Sequence, residues 1–240
     1  MNKNLLKRIV LTSVLAVLGV STSFAALVME RDQSVDTAPS VGMYRFEVPV
    51  ELQGAYNSAG VANLTASMEK EPNTLSMNVA HVKGNSSESY VVEIYKDLAA
   101  IEAHRKSDHY QAFVNEVGSK LTNRKMYDVQ SVLLFEKKDA LSIVNDGKAV
   151  VTLTEFTVDS NEIDTVQRQY QLDMERVVRD DVGYKAGYVL RERNAKNRWY
   201  VIQIYSDQEA LTKHLNSPGY RFMMSQIQGS LQGVTTKVLD

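Results

Sequence analysis

The sequence contains two copies of one long motif, and this duplication restricts the possible folds more than any other feature. Residues 90–121, YVVEIYKDLAAIEAHRKSDHYQAFVNEVGSKL, return as residues 200–231, YVIQIYSDQEALTKHLNSPGYRFMMSQIQGSL. Aligning Ile94 with Ile204 sets the shift between the copies at 110 residues. Self-similarity at this period predicts two structural units of the same fold, each long enough to bury a core of its own.

The start of the chain has the pattern of a secretory signal peptide. Three basic residues open it, residues 9–20 are apolar and uncharged, and small residues precede a cleavage site after Ala25. The apolar run is short for a membrane span, although an uncleaved anchor is the alternative interpretation. We therefore expect residues 1–25 to be removed and residues 26–40 to form a flexible lead. The mature protein would be periplasmic or secreted, with no stable membrane span.

Composition narrows the kinds of partner and of site. The chain has no cysteine, which excludes disulfides and thiolate metal sites. Its 27 basic and 29 acidic side chains give a formal net charge of −2 at pH 7, and removal of the basic signal makes the chain more acidic. A mildly acidic protein repels phosphate backbones, so we expect no nucleic-acid partner.

Each unit shows the same order of strand and helix patterns. In the second unit, apolar residues from Ile163 to Val177 recur at spacings of three and four, which predicts a helix. Alternating β-rich runs at residues 43–48 and 153–158 come before the first helix of each unit. The order strand, helix, strand, strand, helix, strand predicts an α+β fold made of two tandem ferredoxin-like (split βαβ) units. We place the units at residues 41–137 and 149–240, the linker at residues 138–148, and the last strands at residues 126–136 and 235–240.

The third strand of each unit, residues 90–95 and 200–205, is largely apolar on both faces. In the first copy Tyr90 and Ile94 point to one side of the sheet, and Glu93 points to the other side between two apolar neighbours. A sheet with one face in water would alternate apolar and polar residues. We therefore expect one face to meet the helices and the other to meet a second sheet.

The run EIYKDLAAIEAHRKSDHYQAF at residues 93–113 resembles the antibiotic biosynthesis monooxygenase (ABM) domain of the dimeric α+β barrel superfamily. The stretch EPNTLS at residues 71–76 resembles the same family's connection between first helix and second strand. The resemblance implies that two sheets pack face to face into a barrel. Because both units lie in one chain, it implies an intramolecular pseudo-dimer; the alternative is two units that each pair with another molecule. Further assembly into a homo-oligomer is left open.

The first unit carries more acid–base groups than the second. His81 and Glu93 correspond to Arg191 and Gln203 under the shift. Such divergence is expected if one unit has kept a functional site and the other has lost it. It is equally expected if both units have changed by neutral drift. The candidate catalytic residues are His81, His104, Asn78 and Glu93, and the candidate pocket residues are Tyr90, Ile94, Tyr188, Arg191 and His214.

His104 and His214 occupy equivalent places near the end of a short predicted helix. A histidine there can hydrogen-bond the terminal carbonyls and meet the negative end of the helix dipole, which would make its role structural. In a pocket, the same histidine can act as a general base near neutral pH. Repetition alone does not separate the two roles.

No set of residues has the sequence spacing of a metal site. His104 and His109 are five positions apart with a helix break between them, so they do not form the i, i+4 pair of helical metal ligands. We expect His109 to be exposed in the first turn of the next helix. The sequence has no glycine-rich phosphate loop and no flavin fingerprint, and Val114 and Met224 stand where a haem-degrading branch of the superfamily has its ligating histidine. We expect no metal and no cofactor.

The resemblance also implies a type of chemistry. Family members that oxygenate do so without metal or flavin, because an electron-rich aromatic substrate itself reduces dioxygen. This favours a cofactor-independent monooxygenase acting on a small quinol-like or aromatic compound, in a pocket on the helix-facing side of the sheet. Tyr90 and Ile94 would line that pocket, with His81 or His104 as the base. The alternative function is a non-catalytic periplasmic module that binds a small apolar ligand or an envelope partner.

Overall fold

The computed structural model of this chain describes residues 39–137 and 148–240. The expected signal peptide, residues 26–38 of the expected lead and residues 138–147 of the expected linker lie outside the described residues. Ser40, which the sequence interpretation placed in the lead, is the first residue of a strand. The first unit therefore begins one residue earlier than predicted.

The described residues form strands and helices in the predicted order in both units. One helix of each unit begins at an aspartate cap, since Asp97 and Asp207 accept hydrogen bonds from the main-chain N–H groups of Ala100 and Ala210 at 2.9 and 2.8 Å. Within the described ranges, no helix has both the length and the apolar character to cross a bilayer. The elements of the first unit are β1 (Ser40–Glu47), α1 (Gln53–Lys70), β2 (Thr74–Val82), β3 (Asn85–Tyr95), α2 (Leu98–Arg105), α3 (Asp108–Glu116), β4 (Thr122–Tyr127) and β5 (Val129–Glu136). Those of the second unit are β6 (Val150–Val158), α4 (Ile163–Asp180), β7 (Tyr184–Glu192), β8 (Arg198–Tyr205), α5 (Gln208–Asn216), α6 (Pro218–Ile227) and β9 (Leu231–Leu239).

The last strand of each unit connects the two units. The single strand predicted over residues 126–136 is wrong, because the chain divides at Asp128 into β4, which pairs with β1, and β5, which pairs with β7 of the other unit. Asp128 is exposed and belongs to neither strand, so the chain changes partners there. β9 begins at Leu231, earlier than predicted, pairs along β6, and reaches β2 where Leu239 pairs with Val82.

The strands form one antiparallel sheet in the order β4-β1-β3-β2-β9-β6-β8-β7-β5. The two ends of this order, β4 and β5, follow each other along the chain, so the sheet closes on itself as a barrel. The two tandem ferredoxin-like units of the predicted α+β fold are thereby confirmed. Each unit completes the sheet of the other.

The barrel interior is an apolar core shared by both units. The inward side chains of β3, Tyr90, Val92 and Ile94, are buried in one cluster with the equivalent side chains of β8. On the opposite face of β3, Val91 and Tyr95 are buried as well. Both faces of the third strand are therefore dry, as predicted, and the chain is an intramolecular pseudo-dimer.

The helices cover the outside of the barrel unequally in the two units. In the second unit a single buried cluster joins Phe156, Tyr170 and Trp199 between helices and sheet. In the first unit the corresponding core is divided into one cluster around Tyr56 and a second cluster around Met77. The first unit is therefore the less continuously packed half of the molecule.

Candidate functional site

Several candidate site residues point into the barrel. Tyr90, Ile94 and Tyr188 belong to the interior cluster, and Asn78 lines a small cavity beside Tyr90. The prediction that Tyr90 and Ile94 line a helix-facing pocket is therefore wrong. Alternate residues of a strand face opposite sides of the sheet, and on β3 it is Glu93 that faces the helices.

The cavity inside the barrel is too small for an organic ligand. Its volume is about 20 Å³, and its lining is largely apolar, with Met43, Val92 and Leu153 among the contributing side chains. A cavity of this size holds about one water molecule. Among the described residues, the barrel interior is therefore a packed contact that holds the two units together.

A polar network crosses the barrel interior from one unit to the other. Tyr188 Oη donates to Glu136 Oε2 at 2.7 Å and lies 3.1 Å from Ser76 Oγ, which donates to Glu136 Oε1 at 3.4 Å. Asn78 Nδ2 donates to Ser76 Oγ at 3.0 Å. Burial raises the pKa of Glu136 to about 7, while the hydroxyls of Tyr188 and Ser76 oppose the rise. Asn78 and Tyr188 thus meet in a network that connects the units, away from the helices.

His81 faces α1 and lies apart from Glu93. Its Nε2 is 2.9 Å from Asn57 Oδ1, and its ring lies edge-on to the ring of Tyr56 with centroids 5.7 Å apart. Glu93 pairs with Met77, four residues before His81 on β2, which separates the two side chains by about 13 Å along the strand. Burial lowers the pKa of His81. The structure does not bring these two candidates into one site.

Glu93 is the acid–base group on the helix-facing side of β3. Tyr95 Oη donates a hydrogen bond to Glu93 Oε2 at 3.0 Å. Burial raises the pKa of Glu93 to about 7, and the Tyr95 hydroxyl and the positive charge of Arg105 oppose the rise. A carboxyl group with this pKa is partly ionised at neutral pH, where it can accept a proton from a bound molecule.

Gly42 makes room for Tyr44 beside this carboxylate. A Cβ on Gly42 would lie 2.8 Å from Tyr44 Cε2 and 3.2 Å from Glu93 Oε2, so any side chain there would displace the ring. Burial raises the pKa of the Tyr44 hydroxyl and the nearby Arg105 opposes the rise, while the Tyr44 ring stacks on Phe46 with centroids 6.0 Å apart. Tyr44 of β1 therefore stands next to the acid, and Phe46 lies beyond it, opposite Ser89.

The second unit places a tyrosine between sheet and helix where the first unit has a glycine. Tyr170 on α4 is buried and stacks on Phe156 with ring centroids 6.0 Å apart. The equivalent of Tyr170 on α1 is Gly60, and no described atom outside the helix lies within 4 Å of the position that a Cβ would take there. Phe46, the equivalent of Phe156, is only partly buried. No side chain of α1 therefore fills, at this position, the space that Tyr170 fills in the second unit.

An unpaired polar atom lies on the buried face of α1. Asn63 is 8% exposed, and its Oδ1 has no hydrogen-bond partner among the described residues. It follows Gly60 by about one helical turn. In the second unit Asp173 holds this position and forms an ion pair with Arg176 at 2.5 Å. The Asn63 oxygen is thus available to accept a hydrogen bond from a ligand at this face, because a buried polar group without a partner is costly.

His104 belongs to a cluster that the sequence did not predict. The Glu71 carboxylate accepts hydrogen bonds from His104 Nδ1 at 3.1 Å, from His109 Nε2 at 2.7 Å and from Thr74 Oγ1 at 2.6 Å. Burial alone would raise the pKa of Glu71, but Thr74 and the two histidines lower it below its ordinary value. Burial lowers the pKa of His104, against the attraction of Glu71. His104 thus bonds a carboxylate, and His109, predicted to be exposed, is partly buried.

His214 has no equivalent cluster around it. It packs against three tyrosine rings, those of Tyr184, Tyr205 and Tyr220. Its Nε2 lies 3.6 Å from Asp173 Oδ2, and burial lowers its pKa. Arg191 lies on β7 opposite Gln130 and Trp199 in the sheet. The candidates of the second unit therefore do not line one common pocket.

A comparison with known families assigns both units to the same one. Residues 41–116 and residues 149–225 match the family described as antibiotic biosynthesis monooxygenase, and together these matches cover more than half of the chain. The chain belongs to the antibiotic biosynthesis monooxygenase family. The resemblance seen in the sequence is thereby confirmed for two tandem ABM domains.

Solved structures share the two-unit arrangement of this ABM protein. A protein from Lactobacillus acidophilus, provisionally named a monooxygenase, superposes with a TM-score of 0.78 at 19% identity, covering 85% of this chain and 93% of that chain. A protein from Fusobacterium nucleatum with the same provisional name gives 0.73 at 22% identity, covering 85% of this chain and 92% of that one. Such identities establish the fold and leave the reaction open. A comparison with curated proteins gives no match.

The sequence interpretation missed Tyr44, Asn63 and Glu71. Comparing the two ABM units position by position would have found the first two. The change from Gly60 to Tyr170 predicts unequal filling, and the change from Asn63 to Asp173 lies one helical turn away. Glu71 comes from the connection between α1 and β2, and no spacing rule relates it to the histidines.

Proposed function

We propose that the first ABM unit is a cofactor-independent monooxygenase for a small, electron-rich hydroxylated aromatic compound of the quinol type. The observation that carries this proposal is a carboxyl group, Glu93, with a pKa of about 7 beside the aromatic ring of Tyr44. Tyr44 and Phe46 supply the flat apolar wall against which an aromatic ring packs. Gly60 on α1, equivalent to the Tyr170 that stacks on Phe156, leaves out the ring that would otherwise cover Phe46.

Glu93 acts as the general base, and Asn63 orients the substrate. The Glu93 carboxylate takes the substrate proton, and the resulting anion reduces dioxygen with formation of a carbon–oxygen bond. The peroxide formed on the carbon takes back a proton and loses water to leave a carbonyl. One oxygen atom ends in the product and the other in water, and the substrate supplies all the electrons. Asn63 Oδ1 accepts a hydrogen bond from a hydroxyl group that does not react.

The second unit does not share this role. Gln203 stands in place of Glu93 and has no acid–base chemistry near neutral pH. Tyr170 stands where the first unit has Gly60, and Asp173 is already paired with Arg176. We assign the second unit the task of completing the barrel, since β5 and β9 pair across the units.

Oxygen uptake with a panel of quinols and hydroxylated polycyclic aromatics tests the proposal. The wild-type protein should consume dioxygen with at least one substrate, and Glu93→Gln should lower kcat/KM by about 100-fold or more, the usual size of a general-base contribution. The matched control is Glu136→Gln, because Glu136 also has a pKa raised to about 7 but lies inside the barrel. Equal losses in the two variants, or no turnover across a broad panel, would refute the assignment.

Binding without turnover is the second candidate function. It is favoured by the lack of a second base beside Glu93 among the candidate residues, since His81 lies about 13 Å away along the strand and His104 is bonded to Glu71. In that case aromatic ligands bind beside Glu93, no dioxygen is consumed, and Glu93→Gln changes only the affinity. Parallel calorimetry and oxygen measurements on the same protein separate the two functions.

We also propose that the protein is exported. The basic start, the apolar residues 9–20 and the small residues ending at Ala25 support this. Expression of the full chain in a Gram-negative host, followed by fractionation and N-terminal sequencing, should find a mature protein outside the cytoplasm that begins at Ala26. An intact N-terminus in the cytoplasmic fraction would contradict export.

A further inference from the structure

The fold brings three ligand-type side chains together from three different elements of the first unit. Glu71 directly follows the last residue of α1, His104 lies in the last turn of α2, and His109 lies in the first turn of α3. Their three ligand atoms lie within 4.8 Å of one another. The carboxylate stands between the imidazoles, 3.1 Å from His104 Nδ1 and 2.7 Å from His109 Nε2.

We propose that Glu71, His104 and His109 form a binding site for one divalent first-row transition cation, of which Zn²⁺ is the representative. Two imidazoles and one carboxylate are a common ligand set for Zn²⁺ and Fe²⁺, whereas Ca²⁺ and Mg²⁺ prefer oxygen ligands alone. Neighbouring ligand atoms around such an ion are about 3 Å apart, given bonds of about 2.1 Å. The two carboxylate–imidazole distances already have this size. Rotation of the His109 side chain brings its Nε2 to a similar distance from His104 Nδ1.

The surroundings of the site suit an ion that enters from solvent. The side chains of Glu71 and His109 are 15% and 16% exposed, while that of His104 is 2% exposed. Thr74 Oγ1 donates to Glu71 Oε2 at 2.6 Å, which orients the carboxylate and leaves Oε1 for an ion. Three protein ligands leave further coordination positions for water.

The second unit lacks the third ligand, and an arginine side chain takes the place of that histidine. Gly219 takes the place of His109, and a Cβ on Gly219 would lie 2.4 Å from the guanidinium carbon of Arg176. Arg176 therefore occupies the space of the missing histidine side chain, and its equivalent in the first unit is Ala66. The first unit has a histidine and no such arginine; the second has an arginine and no such histidine.

Titration of tag-free, chelator-treated protein with Zn²⁺ tests the site. Calorimetry should find one ion per chain, and replacing Zn²⁺ with Co²⁺ should give visible absorption bands of an ion with imidazole and carboxylate ligands. Glu71→Gln and His109→Ala should each weaken binding by about 100-fold or more. His109 lies near the surface, so this variant is expected to keep the fold, which circular dichroism verifies.

Asp181→Asn is the matched control, since Asp181 is the equivalent of Glu71 in the second unit, and its affinity for Zn²⁺ should equal that of the wild type. Absence of binding below millimolar Zn²⁺ would overturn the proposal. Binding that both first-unit variants leave unchanged would overturn it as well. The readout is metal affinity, and Glu93 is not a ligand, so failure here leaves the proposed oxygenase function standing.

Discussion

The Tyr95 hydroxyl donates a 3.0 Å hydrogen bond to Glu93 Oε2, and this pair distinguishes the two halves of the protein. In the second unit the tyrosine is kept as Tyr205, but its partner position is Gln203, and the Tyr205 hydroxyl has no hydrogen-bond partner among the described residues. The hydrogen bond stabilises the ionised form of Glu93, while burial favours the protonated form. The balance of the two sets the pKa of Glu93 near neutrality.

The pH dependence of turnover should follow Glu93. Because the base must be ionised, kcat/KM should rise as the pH passes about 7. Tyr95→Phe removes the hydrogen bond that favours the carboxylate, so the pKa of Glu93 rises and the profile moves to higher pH. Tyr205→Phe is the control and should leave the profile in place. A profile that moves to lower pH in Tyr95→Phe would contradict the assignment.

The contribution of Glu93 and Glu136 to protein stability should fall as the pH rises towards neutrality. The pKa values of Glu93 and Glu136 are raised to about 7 from an ordinary value of 4.5. The folded state therefore holds these protons to higher pH than the unfolded chain. Their stabilising contribution is complete below pH 4.5 and is lost as the pH approaches 7, by on the order of 1–3 kcal/mol for each group. Urea unfolding between pH 4.5 and 8 measures this change.

The double variant Glu93→Gln, Glu136→Gln provides the comparison for that experiment. Glutamine does not titrate, so the wild type should lose stability relative to the double variant as the pH rises from 4.5 to 8. If the two proteins respond to pH in the same way, the raised pKa values are wrong.

The absence of a side chain at Gly60 gives a prediction in which stability and binding change in opposite directions. Gly60→Ala should raise the free energy of unfolding by about 0.5–1 kcal/mol, because glycine weakens a helix interior. Gly60→Tyr copies Tyr170 and should place a ring over Phe46. The tyrosine variant should therefore fold and lose affinity for aromatic ligands, as measured by calorimetry. A tyrosine variant that binds as well as the wild type would show that the ligand site lies elsewhere.

His104 is predicted to be a structural residue of the fold. It is 1% exposed and packs against Tyr95 and Tyr110 with ring centroids 5.6 and 4.8 Å away. His104→Ala should lower the free energy of unfolding by about 2–4 kcal/mol through the cavity and the unpaired carboxylate of Glu71. His214→Ala should cost about as much through its cavity alone. Thermal unfolding with and without Zn²⁺ measures both, and a His104→Ala protein as stable as the wild type would contradict this role.

The repeat and the strand patterns were enough to predict the fold. The shift that aligns Ile94 with Ile204 establishes two equal units, and the apolar faces of residues 90–95 predict a strand covered on both sides. The change of partner at Asp128 was not predictable in this way. Residues 126–136 alternate as one strand, and only the geometry of barrel closure decides that the two halves of this segment pair with different units.

The site was harder to predict from the sequence than the fold. Glu93 was among the candidates because its copy is Gln203, but Tyr90 and Ile94 were assigned to the wrong face. A strand that is apolar on both sides gives no sign of which side meets the helices. The contact between Glu71 and His109 depends on how three helices end near one another, and local patterns carry no information about that.

Hydrogen exchange with a bound ligand tests the central claim most directly, namely that the first unit alone holds a ligand site between sheet and helix. The probe is a non-oxidisable hydroxylated aromatic compound, added at saturation to the wild-type protein. We predict one ligand per chain and slower exchange in α1 (Gln53–Lys70) and β3 (Asn85–Tyr95), with α4 (Ile163–Asp180) unchanged. Equal protection of α1 and α4, or protection confined to α4, would contradict the account.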